Sequence, residues 1–209
     1  MPRPNQTDQQ RRHLLPVLCA AFSELGYRRT TTGELARRCG VRENILYRLW
    51  ADKKAMFLAA IDDIFCRRAE TWRKLLADAA DPREAAERLI AFEARHQGEF
   101  GFFRVVFAGL NETDDAEIRA ALIAMYHRFH RLVLEQIESY RGPHCAEPPL
   151  PADAAAWALL GLATMSNIIR HLDLLKPRQR ERMFAAVAQC VAADGGRRRK
   201  RGLSRRRLS

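Results

Sequence analysis

The sequence offers no catalytic constellation. It has no glycine-rich phosphate loop, no G-x-S-x-G elbow, no H-E-x-x-H and no carboxylates paired in a cleft-like setting, the arrangements that phosphoryl, acyl and metal-assisted chemistry need. An enzyme, a bound cofactor and a resident metal are therefore not expected, and the acidic residues read as solvated faces and helix caps. Cysteine is sparse too. Cys19, Cys39, Cys66, Cys145 and Cys190 are odd in number, widely spaced and without a C-x-x-C pair, which argues against a disulfide frame or zinc ribbon and for a reducing cytoplasm. Cys39 reads as a small buried filler rather than a thiol sensor. The chain also lacks a signal peptide and any run of about 18 apolar residues, so neither export nor membrane spanning is expected.

Positive charge is what the chain has in excess, and its placement is uneven. The net charge is +11. Residues 1–56 carry 11 basic and 5 acidic groups, residues 57–194 carry 17 and 20, and residues 195–209 carry 8 and none. Basicity confined to the two ends favours a nucleic-acid contact over a general surface effect. The arginine-rich tail, residues 195–209, is nearly free of apolar side chains and is expected to be disordered when free.

Thr30 to Met56 reads as a helix-turn-helix. Thr31 and Glu34 form a T-x-x-E capping box that starts a helix over about Thr32 to Cys39. Gly40 supplies the positive φ that ends it, and Val41 plugs the turn. A second helix, Arg42 to Trp50, buries Ile45, Leu46, Leu49 and Trp50 at spacings of three and four. Its other face carries Arg42, Glu43, Asn44, Tyr47 and Arg48, side chains that reach phosphates and base edges. Asp52 then caps a third helix whose first residues are Lys53 and Lys54. Lysines at a helix start oppose the macrodipole, which makes sense where an anion such as a DNA phosphate sits; a solvated first turn is the bland alternative.

The run Phe22, Glu24, Gly26, Tyr27, Thr30, Thr31, Glu34, Leu35, Ala36, Gly40, Val41, Leu46, Tyr47, Arg48, Trp50, Lys53 and Met56, at these spacings, resembles the DNA-binding domain of the TetR family of bacterial transcriptional regulators. The resemblance implies an all-α homodimer: an N-terminal three-helix DNA-binding domain with a helix-turn-helix, residues 1–55, and a C-terminal helical effector-binding and dimerisation domain, residues 56–194. It places Thr31, Tyr47, Arg48 and Lys53 on the DNA backbone and Arg42, Glu43, Asn44 and Ile45 at the bases. Arg42 stands where the family has a small hydroxyl cap, Asn44 where it has a small residue and Ile45 where threonine is common. The operator sequence therefore does not transfer.

The remaining chain reads as further helices. The N-terminal one runs to Leu25 with Pro16 inside its pattern, and because an interior proline costs about 3 kcal/mol, a late start with a frayed first part is expected. A bridging helix from Lys53 to about Asp78 is broken at Asp81-Pro82, and helices follow over about 83–96, 99–110, 115–140, 152–175 and 178–193. Phe100, Phe103 and Phe107, with Met125, Phe129, Trp157 and Met165, are candidates to line an effector pocket, although such aromatic bulk also suits an ordinary core. His127 and His130 lie one turn apart, yet no third ligand has diagnostic spacing, so hydrogen-bonded histidines are expected rather than a metal site. The helix from 152 is apolar on more than one face. The resemblance assigns it, with the last helix, to a four-helix dimer interface containing Leu159, Leu162, Ala163, Ser166, Ile169, Phe184, Val187 and Val191. The expected partners are a double-stranded operator, a small-molecule effector and a second copy, with no membrane. The reading is a ligand-responsive repressor; the alternative is an architectural DNA coater driven by the tail.

Overall fold

A computed structural model describes residues 6–98, 103–142 and 150–192. The described residues hold helices α1 (Gln6–Arg29), α2 (Thr32–Cys39), α3 (Glu43–Leu49), α4 (Lys53–Leu76), α5 (Pro82–His96), α6 (Phe103–Leu110), α7 (Ala116–Arg141), α8 (Ala152–His171) and α9 (Pro177–Ala192), and no strand among them. The all-α expectation is met. Phe100, Cys145 and the arginine-rich tail lie outside the described residues.

The chain forms two compact units, one of Met1–Ala69 and Phe100–His127, the other of Glu70–Glu99 and Arg128–Ser209. In the first, Leu18, Phe22, Leu35, Leu46, Leu49, Met56 and Phe57 are all buried from solvent. Tyr27 joins them, its ring 4.8 Å from Phe57 and 6.4 Å from Phe22. The α6 residues Val105 and Val106 and the α7 residues Ile118, Leu122 and Met125 are buried in the same unit.

Caps set most of the boundaries. Thr31 accepts from the Glu34 N–H, Asp52 from Ala55, Asp81 from Glu84 and Asp115 from Ile118, each satisfying a donor that a helix start leaves orphaned. Gly40 ends α2 at φ 65°, a left-handed conformation open to glycine. Asp81-Pro82, read in the sequence as a break, is also the start of α5, with proline in the first turn where it loses no bond.

One expectation needs correction. The late start of the N-terminal helix is wrong: α1 begins at Gln6 and runs through Pro16, breaking only at Gly26 (φ 73°). Its early turns are held from outside, because Arg11 Nε donates to the Leu49 carbonyl at 2.8 Å and Arg48 donates to Gln10 Oε1 at 2.9 Å. Pro16 has no N–H to donate to the Arg12 carbonyl, and both residues are exposed, so that carbonyl lies on the wet side. α8 is long and apolar enough to cross a membrane by length and composition alone, which is weak evidence for a span. Its full charges, Asp153 and Arg170, sit near its ends, and a core helix of a water-soluble protein meets the same description.

In the second unit, Val133 and Ile137 of α7 pack on Ala155 and Ala156 of α8, with Trp72 against them. Ala94 of α5 packs on Phe184 and Ala188 of α9. The Trp72 indole N–H donates to the buried Glu93 carboxylate at 2.7 Å.

Candidate nucleic-acid interface

α3 divides cleanly into two faces. Leu46 and Leu49 are buried, as is the Trp50 cap, while Arg42, Glu43, Asn44, Tyr47 and Arg48 are exposed and Ile45 is half-buried. Arg42 occupies the N-cap without a side-chain hydrogen bond. Its guanidinium is therefore not held by the cap that a hydroxyl at this position would make. The base-reading candidates are thus brought to one solvent-facing strip.

Several of these groups are already engaged across α2 and α3. Tyr47 Oη donates to Thr32 Oγ1 at 3.2 Å, and Thr32 Oγ1 donates to Glu43 Oε2 at 2.9 Å. The same carboxylate lies over the start of α2, 3.2 Å from where a Cβ on Gly33 would be. The sequence missed this bridge, since Thr32 and Glu43 belong to different helices and only the turn at Gly40 brings them together. Glu34 also departs from the reciprocal capping box. Its carboxylate accepts from Arg37 Nε at 2.8 Å and Arg38 Nε at 2.7 Å, and these two guanidinium groups hold its pKa down at about 2.

Lys53 is placed differently from a free phosphate contact. Its Nζ donates to the carbonyls of Tyr27 and Thr30, both at 3.1 Å, and lies 4.4 Å from the centre of the Tyr27 ring. It therefore closes the carbonyl end of α1 onto the start of α4. Leaving two partly buried carbonyls unpaired costs about 1–3 kcal/mol, so Lys53→Met is expected to lower the thermal midpoint by several degrees. Thermal unfolding decides between the two roles: an unchanged midpoint with a reduced salt dependence of DNA binding would mean that Lys53 serves phosphate alone. Lys54 turns instead to Glu117 at 2.5 Å and Asp115 at 3.2 Å, and these carboxylates raise its pKa to about 12. Arg28 grips Glu112 through Nε at 2.8 Å.

Cys19 is buried, with its thiol 3.5 Å from Asp63 Oδ2, and burial together with that carboxylate pushes its pKa up to about 12. Cys39 is half-buried rather than fully buried, and its pKa is raised by burial. Neither environment activates a thiolate. His130 is buried against Asp153, Nε2 to Oδ1 3.2 Å, and stacks on Trp157 with ring centroids 4.5 Å apart. Among the described residues no three His, Cys, Asp or Glu side chains gather as metal ligands.

The other expected site residues are divided between the two units. Phe103 and Phe107 pair edge-on within α6 at 5.8 Å, and Met125 is buried in the first unit. Phe129, Trp157 and Met165 belong to the second unit, where Trp157 is 42% and Met165 46% exposed. For the dimer face, Ser166, Ile169 and Phe184 are corrected: they are buried in the chain's own interior, which takes them off any surface open to a second copy. Leu159, Leu162, Ala163 and Val191 are half-buried and Val187 is exposed. The exposed large apolar residues of α8 and α9 are Trp157, Met165 and Val187, and Leu172 and Leu174 are exposed in the turn that follows α8.

Comparison with known proteins agrees with this layout. The chain is 24% identical over 90 residues to the HTH-type transcriptional repressor NicS of Pseudomonas putida, a match covering 43% of this chain and 42% of that repressor. The chain thus spans less than half the length of the curated relative it matches. NemR of E. coli in its reduced form shares the fold, with a TM-score of 0.73 at 17% identity over 88% of this chain and 98% of NemR. The transcriptional regulator FadR of Bacillus subtilis, solved with stearoyl-CoA, does so with a TM-score of 0.70 at 11% identity over 88% of this chain and 98% of its own. Residues 15–60, which run from α1 across the helix-turn-helix into α4, match the family described as bacterial regulatory proteins, tetR family.

Proposed function

We propose that the chain is a ligand-responsive DNA-binding transcriptional regulator acting as a repressor in the cytoplasm. It binds a palindromic operator as a homodimer and is released by a small apolar or amphipathic effector. In this reading residues 1–55 contact DNA and residues 56–194 hold the effector and the second copy. The observation that carries it is the two-faced α3, whose apolar side chains are buried while Arg42, Glu43, Asn44, Tyr47 and Arg48 stand in solvent. A twofold dimer would set two such helices about 34–36 Å apart, in successive major grooves.

The ion pairs of the first unit suggest how an effector would be felt. Arg28 on α1 and Lys54 on α4 both hold the segment Glu112–Glu117, which leads from α6 into the first turn of α7. A shift of that segment would tilt both helices that carry α3. By linkage, operator and effector then weaken each other by the same factor. FadR's complex with stearoyl-CoA supports an effector with a long apolar part.

Two substitutions test the assignment of α3. Arg48→Ala is expected to weaken all DNA sequences alike and to lower the salt slope by about one unit, since one phosphate contact is lost. Asn44→Ala is expected instead to relax preference at one base by roughly 1–3 kcal/mol. Titration of base-substituted DNA reads both, and an unchanged base preference in Asn44→Ala would remove Asn44 from the reading face. A second reading, a sequence-tolerant DNA coater, is favoured by the eight basic and no acidic residues of the tail. Deleting residues 195–209 separates the two: a regulator keeps its sequence discrimination, whereas a coater loses nearly all affinity.

A further inference from the structure

Three polar side chains of the second unit are buried with an atom left unpaired. Gln97 is 8% exposed, Ser166 0% and Arg180 6%, and Gln97 Oε1, Ser166 Oγ and Arg180 Nε have no hydrogen-bond partner. No carboxylate among the described residues pairs with Arg180. Buried polar atoms are almost always satisfied in native chains, and a cluster of exceptions calls for a cause.

Gln97 caps the C-terminal end of α5, Ser166 lies near the end of α8 and Arg180 in the first turn of α9. A short turn from His171 to Pro177 joins α8 to α9, so the two helices run antiparallel and the first turns of α9 lie beside the last turns of α8. The end of α5 reaches the same place. Gln97 Nε2 donates to the Ala163 carbonyl at 3.2 Å, and Arg170 Nη1 donates to the carbonyls of Arg95 and Gln97 at 3.2 and 3.4 Å. Gly98, at φ 77°, passes so close that a Cβ there would come within 3.0 Å of Asn167 Oδ1. Ala94, Ala163 and Phe184 form one apolar contact of these helices. Gln97 is one turn beyond Ala94, Ser166 one turn beyond Ala163 and Arg180 one turn before Phe184, so each orphaned group follows the apolar contact on its own helix face.

The geometry points to a buried site at this junction for the carboxylate of an amphipathic acid. Arg180 supplies a charged fork matched to a carboxylate, Ser166 a hydroxyl that donates to it, and Gln97 Oε1 an acceptor for a neighbouring hydroxyl or N–H of the same molecule. The apolar part rests against Ala94, Leu162 and Phe184. A water molecule would satisfy Gln97 and Ser166 but would leave the Arg180 charge uncompensated, which is why an anion fits better. The inference deepens the effector reading and rests on it only for the consequence at DNA.

The test is thermal unfolding of the full chain in sodium benzoate, sodium octanoate and sodium phosphate, against sodium chloride of equal ionic strength and against benzamide. At least one carboxylate is expected to raise the midpoint by roughly 5–10 °C at about a hundredfold excess over its Kd, with benzamide inert. Arg180→Met should lose that shift while unfolding no earlier than the parent chain when ligand is absent, since it removes an unpaired buried charge. Ser166→Ala serves as a second variant, with affinity lowered about tenfold and a folded core, and it decides the matter if Arg180→Met does not fold. Stabilisation by phosphate alone, no response to either carboxylate, or equal responses in parent and variants would overturn the site. A carboxylate that stabilises the chain without releasing DNA would leave the site standing and refute the effector reading.

Discussion

Met165→Asp is expected to give a folded monomer that binds the operator about a hundred- to ten-thousand-fold more weakly than the parent chain. Met165 is 46% exposed, and with Trp157 at 42% and Val187 at 40% it belongs to the apolar surface of α8 and α9 that the chain itself leaves open. In a twofold interface each residue occurs twice, so one substitution buries two carboxylates. Desolvating each costs several kcal/mol without a partner. The loss at DNA follows because a dimer's second recognition helix binds at high effective concentration, an advantage of about 10²–10⁴ that a monomer lacks. Sedimentation and DNA titration read the two effects together. An unchanged dimer would place the interface elsewhere. Aspartate at Ser166 or Phe184 would be uninformative for this purpose, since both side chains are buried within the chain and a charge placed there would disrupt its own core.

Phe57→Ala is expected to cost about 3–5 kcal/mol, a large part of the roughly 5–15 kcal/mol that holds a typical domain together. Phe57 is wholly buried and meets Phe22 edge-on at 4.9 Å and Tyr27 at 4.8 Å. It therefore joins α4 to both ends of the aromatic contact on α1. The midpoint should fall by roughly 6–20 °C, since 1 kcal/mol moves a chain of this size by about 2–4 °C. Trp50 fluorescence reports it, because the indole is buried beside α3. DNA binding should fail at the same temperature. Phe57→Leu, which keeps most of the volume, should retain most of the stability; if Phe57→Ala melts like the parent chain, the aromatic contact does not hold the first unit together.

The fold was legible where a single helix carries its own signals. The Thr31 cap and the Gly40 stop gave α2 its bounds from Thr32 to Cys39, and Asp52 and Asp115 marked the starts of α4 and α7. The exposed strip of α3 was legible for the same reason: its period of three and four sorts Leu46 and Leu49 from Asn44 and Arg48 without reference to any neighbour. What could not be read depends on packing between helices. Pro16 looked like a boundary because nothing local shows that Arg11 and Gln10 are gripped by the end of α3. The hold of Lys53 on two carbonyls could not be read because they lie 23 and 26 residues away. Ser166 and Phe184 were assigned to a partner because apolar and small residues suit an interface and an interior equally; Phe184 in fact packs with Ala94 of α5, and Ser166 is buried within the chain.

The central claim is that α3 is shown twice, by two copies related by a twofold axis, to one stretch of duplex. The measurement that tests it most directly is selection of bound sequences from random double-stranded DNA by the full chain. The account predicts enrichment of an inverted repeat whose half-sites lie about one helical turn, or a multiple of it, apart. Recovery of no preferred sequence, or of a single half-site without its mate, would contradict it.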